Sequence, residues 1–366
     1  MTAVSAFAQS SVTLDGYFDR GYTTVKNSDP AIGKTKGLAS SAGTTTVGIK
    51  GVEDLGGGLK VGFSVNTDWS DLGGMTQDGS AVTAAQAGTF ANSQSFIEVI
   101  NAKIGTLRMG SINNEILTAT TGVASPAFST GIGSAYSSSW SVHNGYGTGK
   151  SGNGGLVFED GLGATKAGSR GIRQANTIKY ISPKVMDVTV AYGFAPKNST
   201  GTGDTAGVTE MSIRYQAGPV DVMYASIKYE VGTFATAPAQ GSLVVGSNNT
   251  HTMLGASYAV LPTLKLHAGS GKSKASDTAI ANSSSTQFGV TYTMGAFDIM
   301  AQTAKVDDKN TTAYDRKMTG LGVNYNLSKT TRAYVRYDNL KLNDGAATAV
   351  NGDSIKRTAI GVSRSF

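Results

Sequence analysis

The sequence predicts an all-β protein: a sixteen-stranded antiparallel transmembrane β-barrel. Three observations carry this. Apolar and polar residues alternate with period two through most of the chain. Short turns alternate strictly with longer polar loops. The polar face of each strand is built of small and hydrophilic residues, with no second apolar face left over to make a soluble core.

The alternation is read segment by segment. "TTVGIKG" (45–51) sets Val47 and Ile49 against Thr46, Gly48 and Lys50. "LKVGFSVNTDW" (59–69) sets Leu59, Val61, Phe63 and Val65 against Lys60, Gly62, Ser64, Asn66 and Asp68. "NTIKYIS" (176–182) and "EMSIRYQ" (210–216) follow, with Ile178 and Tyr180, then Met211, Ile213 and Tyr215, as the apolar sets. "LKLHAG" (264–269) and "TGLGVNYNL" (319–327) repeat it near the C-terminus. A soluble sandwich would bring two apolar faces together. A water-filled lumen inside a lipid-facing wall needs no such core, because every backbone group is satisfied between strands. "FIEVI" (96–100) is left without a phase.

The connections fix the count. Short turns fall at 53–58, 101–105, 182–186, 216–219, 260–263, 294–297 and 327–331. Longer loops fall at 26–43, 70–92, 112–174, 196–207, 231–247, 274–283, 307–313 and 343–353. With "SSVTLDGYF" (10–18) as the first strand, these seven turns and eight loops separate sixteen strands. From Gln9 to Phe366 that leaves about 22 residues per strand with its connection, against about 9–11 needed to cross a membrane. The closing "RTAIGVSRSF" would be a sticky edge in a soluble domain. In a barrel, Phe366 closes the wall against the first strand with its ring in lipid.

Composition excludes several classes. The chain has no cysteine, so neither a disulfide framework nor a thiolate metal site follows. The three histidines, His143, His251 and His267, are too far apart for a zinc motif, and no cofactor or metal is expected. Mean hydropathy is −0.12 and no stretch is apolar enough for a membrane helix. Net charge is +6 from 31 basic and 25 acidic residues, but the basic residues are scattered singly, which argues against nucleic acid. "GTGKSG" (147–152) matches a phosphate-binding glycine pattern without the strand before and helix after that the motif requires. No serine stands in a distinctive setting for a Ser-His-Asp site, so no enzyme is expected. Residues 1–8 end in Ala6-Phe7-Ala8, which reads as the remnant of a secretory signal peptide, with residues 9–366 as one barrel domain.

Several stretches, in order along the chain, resemble one family. They are "AQSSVTLDGYFD" (8–19), "TTVGIKGVEDLGGGLKVGF" (45–63), "IGTLRMG" (104–110), "GIRQANTIKYISP" (171–183), "GASYAV" (255–260), "VNYNLSKTTRAYV" (323–335) and "GVSRSF" (361–366). The chain is similar to the trimeric general porins of Gram-negative outer membranes, the branch that includes anion-selective porins. The resemblance implies a homotrimer in the outer membrane, in contact with its lipids and lipopolysaccharide. Each barrel would pass small polar or anionic solutes through its own pore, narrowed by the third loop folding inward, here 112–174.

Such pores select by size and by charge at the constriction. Against the family pattern this chain is depleted of arginine. Thr46 stands at the strand 2 position while Lys50 is kept, Ser93 precedes the strand 4 aromatic, Ser111 follows "MG", and Ser363 replaces an inward arginine of the last strand. Lys166, Arg170, Arg173 and Lys179 remain after the loop, with no acid from 161 to 179. Arg173 matches an arginine that reaches the constriction in anion-selective relatives. Lys60 and Arg108 complete the expected basic set. From Ile116 to Phe158 the loop has no Asp or Glu, so the acidic half of a transverse field is absent. A unit charge about 6 Å from a permeating ion in a water-like medium is worth roughly 0.7 kcal/mol, which predicts a weak anion preference. Phe128, Tyr136 and Trp140 in the loop either line the constriction or pin the loop to the wall. Two other readings remain at this point: a barrel-embedded hydrolase, and a surface adhesin or ligand-capture barrel.

Overall fold

In the computed structural model, strands account for nearly all regular structure. The structure describes residues 11–28, 34–68, 90–91, 93–128, 130–135, 169–170, 173–196, 199–200, 203–204, 207–230, 248–275, 282–309, 315–342 and 354–366. The signal-peptide remnant, Lys166, Tyr136 and Trp140 lie outside them.

Sixteen antiparallel strands form one closed sheet. They are β1 (Ser11–Asn27), β2 in two pieces (Lys34–Ala39 and Thr46–Gly56), β3 (Leu59–Asp68), β4 (Ser95–Asn101), β5 (Gly105–Asn113), β6 (Arg173–Ile181), β7 (Val188–Ala195) and β8 (Gly207–Ala217). The second half comprises β9 (Val220–Glu230), β10 (Asn248–Leu261), β11 (Leu264–Ala275), β12 (Ser283–Met294), β13 (Phe297–Asp308), β14 (Arg316–Asn326), β15 (Thr331–Leu342) and β16 (Ser354–Ser365). Each pairs with its chain neighbours, and β16 pairs with β1 from Tyr17↔Ser365 to Asn27↔Ile355. The last residue completes the seam: Gly16 and Phe366 exchange backbone hydrogen bonds of 3.2 Å, and the Phe366 ring stacks on Phe18. The short pairs Ser169–Arg170 and Ser199–Thr200 with Gly203–Asp204 are accessory.

The alternation becomes two faces. Leu321, Val323 and Tyr325 on β14 are exposed outward, whereas Met318, Gly320, Gly322 and Asn324 point inward and are buried or close-packed. β4 also takes a definite phase. Ile97 is exposed outward opposite Met109, and Glu98 faces inward opposite Arg108.

Strand β2 is interrupted for a reason visible on its neighbour. Between its two pieces the backbone N–H groups of Ala42 and Gly43 donate to Asp19 Oδ2 at 2.6 and 3.0 Å, and Thr45 bonds the Asp19 backbone. A carboxylate on the inner row of β1 thus replaces the ladder partners that residues 40–45 give up, and the segment bows into the lumen.

The third loop continues that inward layer. Asn114 caps a short helix, accepting from the Leu117 N–H, and the helix runs as one α turn (Glu115–Leu117) into a π turn (Thr118–Val123). Its apolar residues Ile116, Ala119 and Val123 pack on the inner side chains of β7 to β10, among them Val208, Met223 and Met253. Farther on, Ile132 packs with Ala42, Tyr334 and Ala359, and Ala135 with Val25, Met318 and Ile355. Residues 114–128 and 130–135 are therefore inlaid along the inner wall from β7 round to β1 and β2.

Candidate pore site

Glycine on the wall makes the inlay possible. A Cβ at Gly255 would lie 2.5 Å from the Ala119 carbonyl oxygen, and one at Gly320 would lie 2.6 Å from Gly133 Cα. Polar contacts fasten the loop above these gaps. Gln302 accepts from Ser125 at 2.6 Å, Asp338 from the Gly133 N–H at 2.9 Å, and the Ser41 carbonyl from the Ile132 N–H at 2.8 Å. Phe128 is fully buried against Gly133 and Gly322, under the Arg336 guanidinium 5.8 Å from its ring. Of the two roles considered for this aromatic, the geometry supports pinning the loop.

The basic residues read from the sequence are matched by carboxylates brought from elsewhere in the chain. Lys179, expected at the pore, is 1 % exposed and lies 2.8 Å from Glu115 and 2.7 Å from Glu210. Glu115 also accepts from Ser212 at 2.9 Å, and its own N–H donates to Glu210 at 2.8 Å. Lys179 is thus the cation between the buried Glu210 and the part-buried Glu115, and holds the start of the loop to β6 and β8. Its burial takes it off the pore surface. Arg173 is 8 % exposed, donating to Asn113 at 3.0 Å with Asp68 at 3.4 Å.

The remaining candidates follow the same pattern. Lys50 lies 2.8 Å from Asp15 on the inner row of β1. Arg108 donates through two nitrogens to Glu98 and covers the Phe96 ring at 4.2 Å. Lys60 lies 3.4 Å from Asp54 beside the short turn, at the mouth rather than at the constriction. Thr46 shares the inner row of Lys50. Ser93 is buried, with its N–H donating to the Asn66 carbonyl beyond the paired part of β4. Ser111 is corrected: it stands opposite Ser95, in the row of Ile97 and Met109, so the register sets it on the outward side. A single residue's displacement suffices, because strand side chains alternate faces.

Two inward guanidiniums have no carboxylate partner among the described residues. Arg336 is 1 % exposed, donating to Asn324 at 2.7 Å and to backbone carbonyls. Arg332, half-buried, donates to Ser363 at 3.1 Å and to the Tyr17 hydroxyl at 3.1 Å. Arg332 stands directly opposite Ser363 in the β15–β16 ladder. The neighbouring strand thus returns a guanidinium to the place where Ser363 departs from the family pattern. The signal was available, since "TRAYVRYD" places Arg332, Tyr334, Arg336 and Asp338 on one face.

A model of the Gram-negative porins matches residues 1–345. The chain belongs to the Gram-negative porin family. It is 30% identical over 258 residues to outer membrane porin protein 32 of Delftia acidovorans, a match covering 69% of this chain and 62% of that protein. It is 25% identical over 375 residues to the major outer membrane protein P.IB of Neisseria gonorrhoeae, covering 96% and 94% of the two chains. The barrel is similar to the solved anion-selective porin from Comamonas acidovorans, with a TM-score of 0.76 and 24% identity over 98% of this chain and 100% of that one. A Salmonella typhi OmpF structure matches at a TM-score of 0.66 with 12% identity. This porin is accordingly an outer-membrane protein that crosses by strands. Its family and fold are those of a channel rather than an enzyme.

Proposed function

We propose that this porin passes small hydrophilic solutes and ions by passive diffusion, with a weak preference for anions, and works as a homotrimer. Arg332 is the observation that carries the preference. It is the half-exposed lumenal guanidinium whose partners are neutral hydroxyls, whereas Arg173, Lys179, Lys50, Lys60 and Arg108 are each beside a carboxylate. Pairing cancels most of a cation's field at a distance, so the basic wall contributes little beyond shape. Arg336 lies over the Phe128 ring and adds a second, buried charge close to the loop. At roughly 8 Å in a water-like lumen one such charge is worth about 0.5 kcal/mol, or a permeability ratio of about two.

Planar-bilayer recording tests the reading. Purified protein should close in three equal steps and give a small anion-directed reversal potential under a KCl gradient. The potential should shrink as total salt rises, because screening shortens the reach of the charge. A cation-directed potential in the wild type would overturn the selectivity, and silent bilayers would overturn the channel.

A further inference from the structure

We infer that the mouth at the short-turn end carries a binding site for a dipeptide-sized zwitterion, with the ammonium on Asp298 and the carboxylate on Arg332. Asp298 is the second residue of β13, Asn326 the last of β14 and Arg332 the second of β15, and all three belong to inward rows. Asp298 takes neutral donors: Thr293 donates to Oδ1 at 2.9 Å and Asn326 to Oδ2 at 2.9 Å. Arg332 likewise donates to hydroxyls, those of Ser363 and Tyr17. A half-buried carboxylate and a half-buried guanidinium thus share one wall, and among the described residues neither is paired with an opposite charge. Their neutral partners hold both groups in place and leave both charges uncancelled.

The ladder sets the span. Asp298 stands opposite Asn324, Asn324 opposite Tyr334, and Asn326 opposite Arg332. The two charged residues are therefore two strands and two residues apart, or about 12 Å between Cα atoms. An α-amino acid is too short to touch both. Two residues of extended chain put about 7 Å between the terminal charges. A charge-assisted hydrogen bond at each end brings the reach to about 12–13 Å. Asn326 occupies the middle. Its amide nitrogen is committed to Asp298, and its amide oxygen, without a partner among the described residues, can accept from a peptide N–H. Arg332 uses two N–H groups on Ser363 and Tyr17 and keeps others for a carboxylate, while each Asp298 oxygen keeps a lone pair for an ammonium. A simple anion meets one of these groups and a simple cation the other; a zwitterion satisfies both. Lys265 on β11 flanks Asp298 on the other side, across Thr291 and Thr293 of β12, with no amide between and only a point charge to offer.

The inference names a solute class for the channel and rests on that reading. The test uses proteoliposome swelling in low-salt buffer and saturation-transfer NMR of detergent-purified porin. The probes are glycylglycine, glycine and N-acetylglycinamide, an uncharged diamide of similar size. An exposed ion pair is worth roughly twofold, so two pairs should let glycylglycine enter about fourfold faster than the diamide. Asp298→Asn and Arg332→Gln should each halve that advantage, and the double variant should abolish it. Lys265→Gln should keep it. Saturation transfer to glycylglycine should fall in the same order, and glycine should give no more than the background of the double variant. Entry of the diamide should be equal in every variant, which reports a folded and open channel. Its failure in wild type would overturn the channel reading. With diamide entry intact, glycylglycine entering no faster than the diamide would overturn the present inference alone. So would a full advantage in the double variant, an advantage lost in Lys265→Gln but kept in Arg332→Gln, or glycine bound as well as glycylglycine.

Discussion

Tyr334 on β15 donates a 2.5 Å hydrogen bond to Asp19 on β1, across the intervening strand β16 and 315 residues away in sequence. The phenol can lie across β16 because position 361 there is glycine, where a Cβ would collide with the phenol oxygen. The same carboxylate holds the Ala42 and Gly43 N–H groups, so one side chain joins the closing seam to the interruption of β2.

Removing that phenol should weaken the seam without opening it. Tyr334→Phe leaves Asp19 two of its donors, and the loss of a buried hydrogen bond to a charged group costs about 2 kcal/mol. Thermal unfolding in detergent, followed by the gel mobility of the folded barrel, should move to lower temperature. Gly361→Val should have the larger effect, since it displaces the phenol altogether. Unchanged unfolding in both variants would count against the strut.

Filling the wall beneath the loop should narrow the pore. Gly255→Val puts a branched side chain where the Ala119 carbonyl rests, and Gly320→Val does the same under Gly133. The loop can yield only towards the axis, so single-channel conductance should fall in folded protein. A rise in conductance would show that the loop swings out instead of in.

Lys179 should matter for the order of the loop and not for selectivity. Lys179→Met leaves Glu115 and Glu210 facing each other without their cation, a change of roughly 3–5 kcal/mol for a broken buried pair. Noisy, flickering conductance is the expected reading, with partial recovery in Lys179→Met/Glu210→Gln. A quiet channel with a merely shifted reversal potential would return Lys179 to the pore.

Arg332 and Arg173 give opposite expectations from the same chemical change. Arg332→Gln removes a charge with neutral partners and should abolish most of the anion preference, by a factor of about two in permeability ratio. Arg173→Gln unmasks Asp68 and should tip the channel towards cations by at most a similar factor. Should Arg173→Gln and Arg332→Gln behave alike, the pairing of Arg173 with Asp68 has no bearing on permeation.

The barrel was legible in the sequence because period-two alternation and turn spacing are local signals, and closure follows from them. Strand 2 was the exception in part. Its interruption depends on Asp19, 23 residues before Ala42, for which the alternation carries no mark. The pore charges were legible only by face. Lys179 and Arg173 do lie on inward rows, but their neutralising partners Glu115, Glu210 and Asp68 come from distant segments. Glu115 sits immediately before the acid-free stretch that begins at Ile116, so the loop carries an acid at its root. Arg332 was missed although its inward phase could be read, because the family pattern drew attention to Ser363 on the adjacent strand.

The loop's anchors also set an order of events. Gly133 is held by Asp338, which follows it by 205 residues, and Ser125 by Gln302, which follows by 177. Much of the seat of the inlaid segment lies far downstream of it in the chain. The inlaid segment can therefore be fastened only where strands of the second half of the chain already stand beside it.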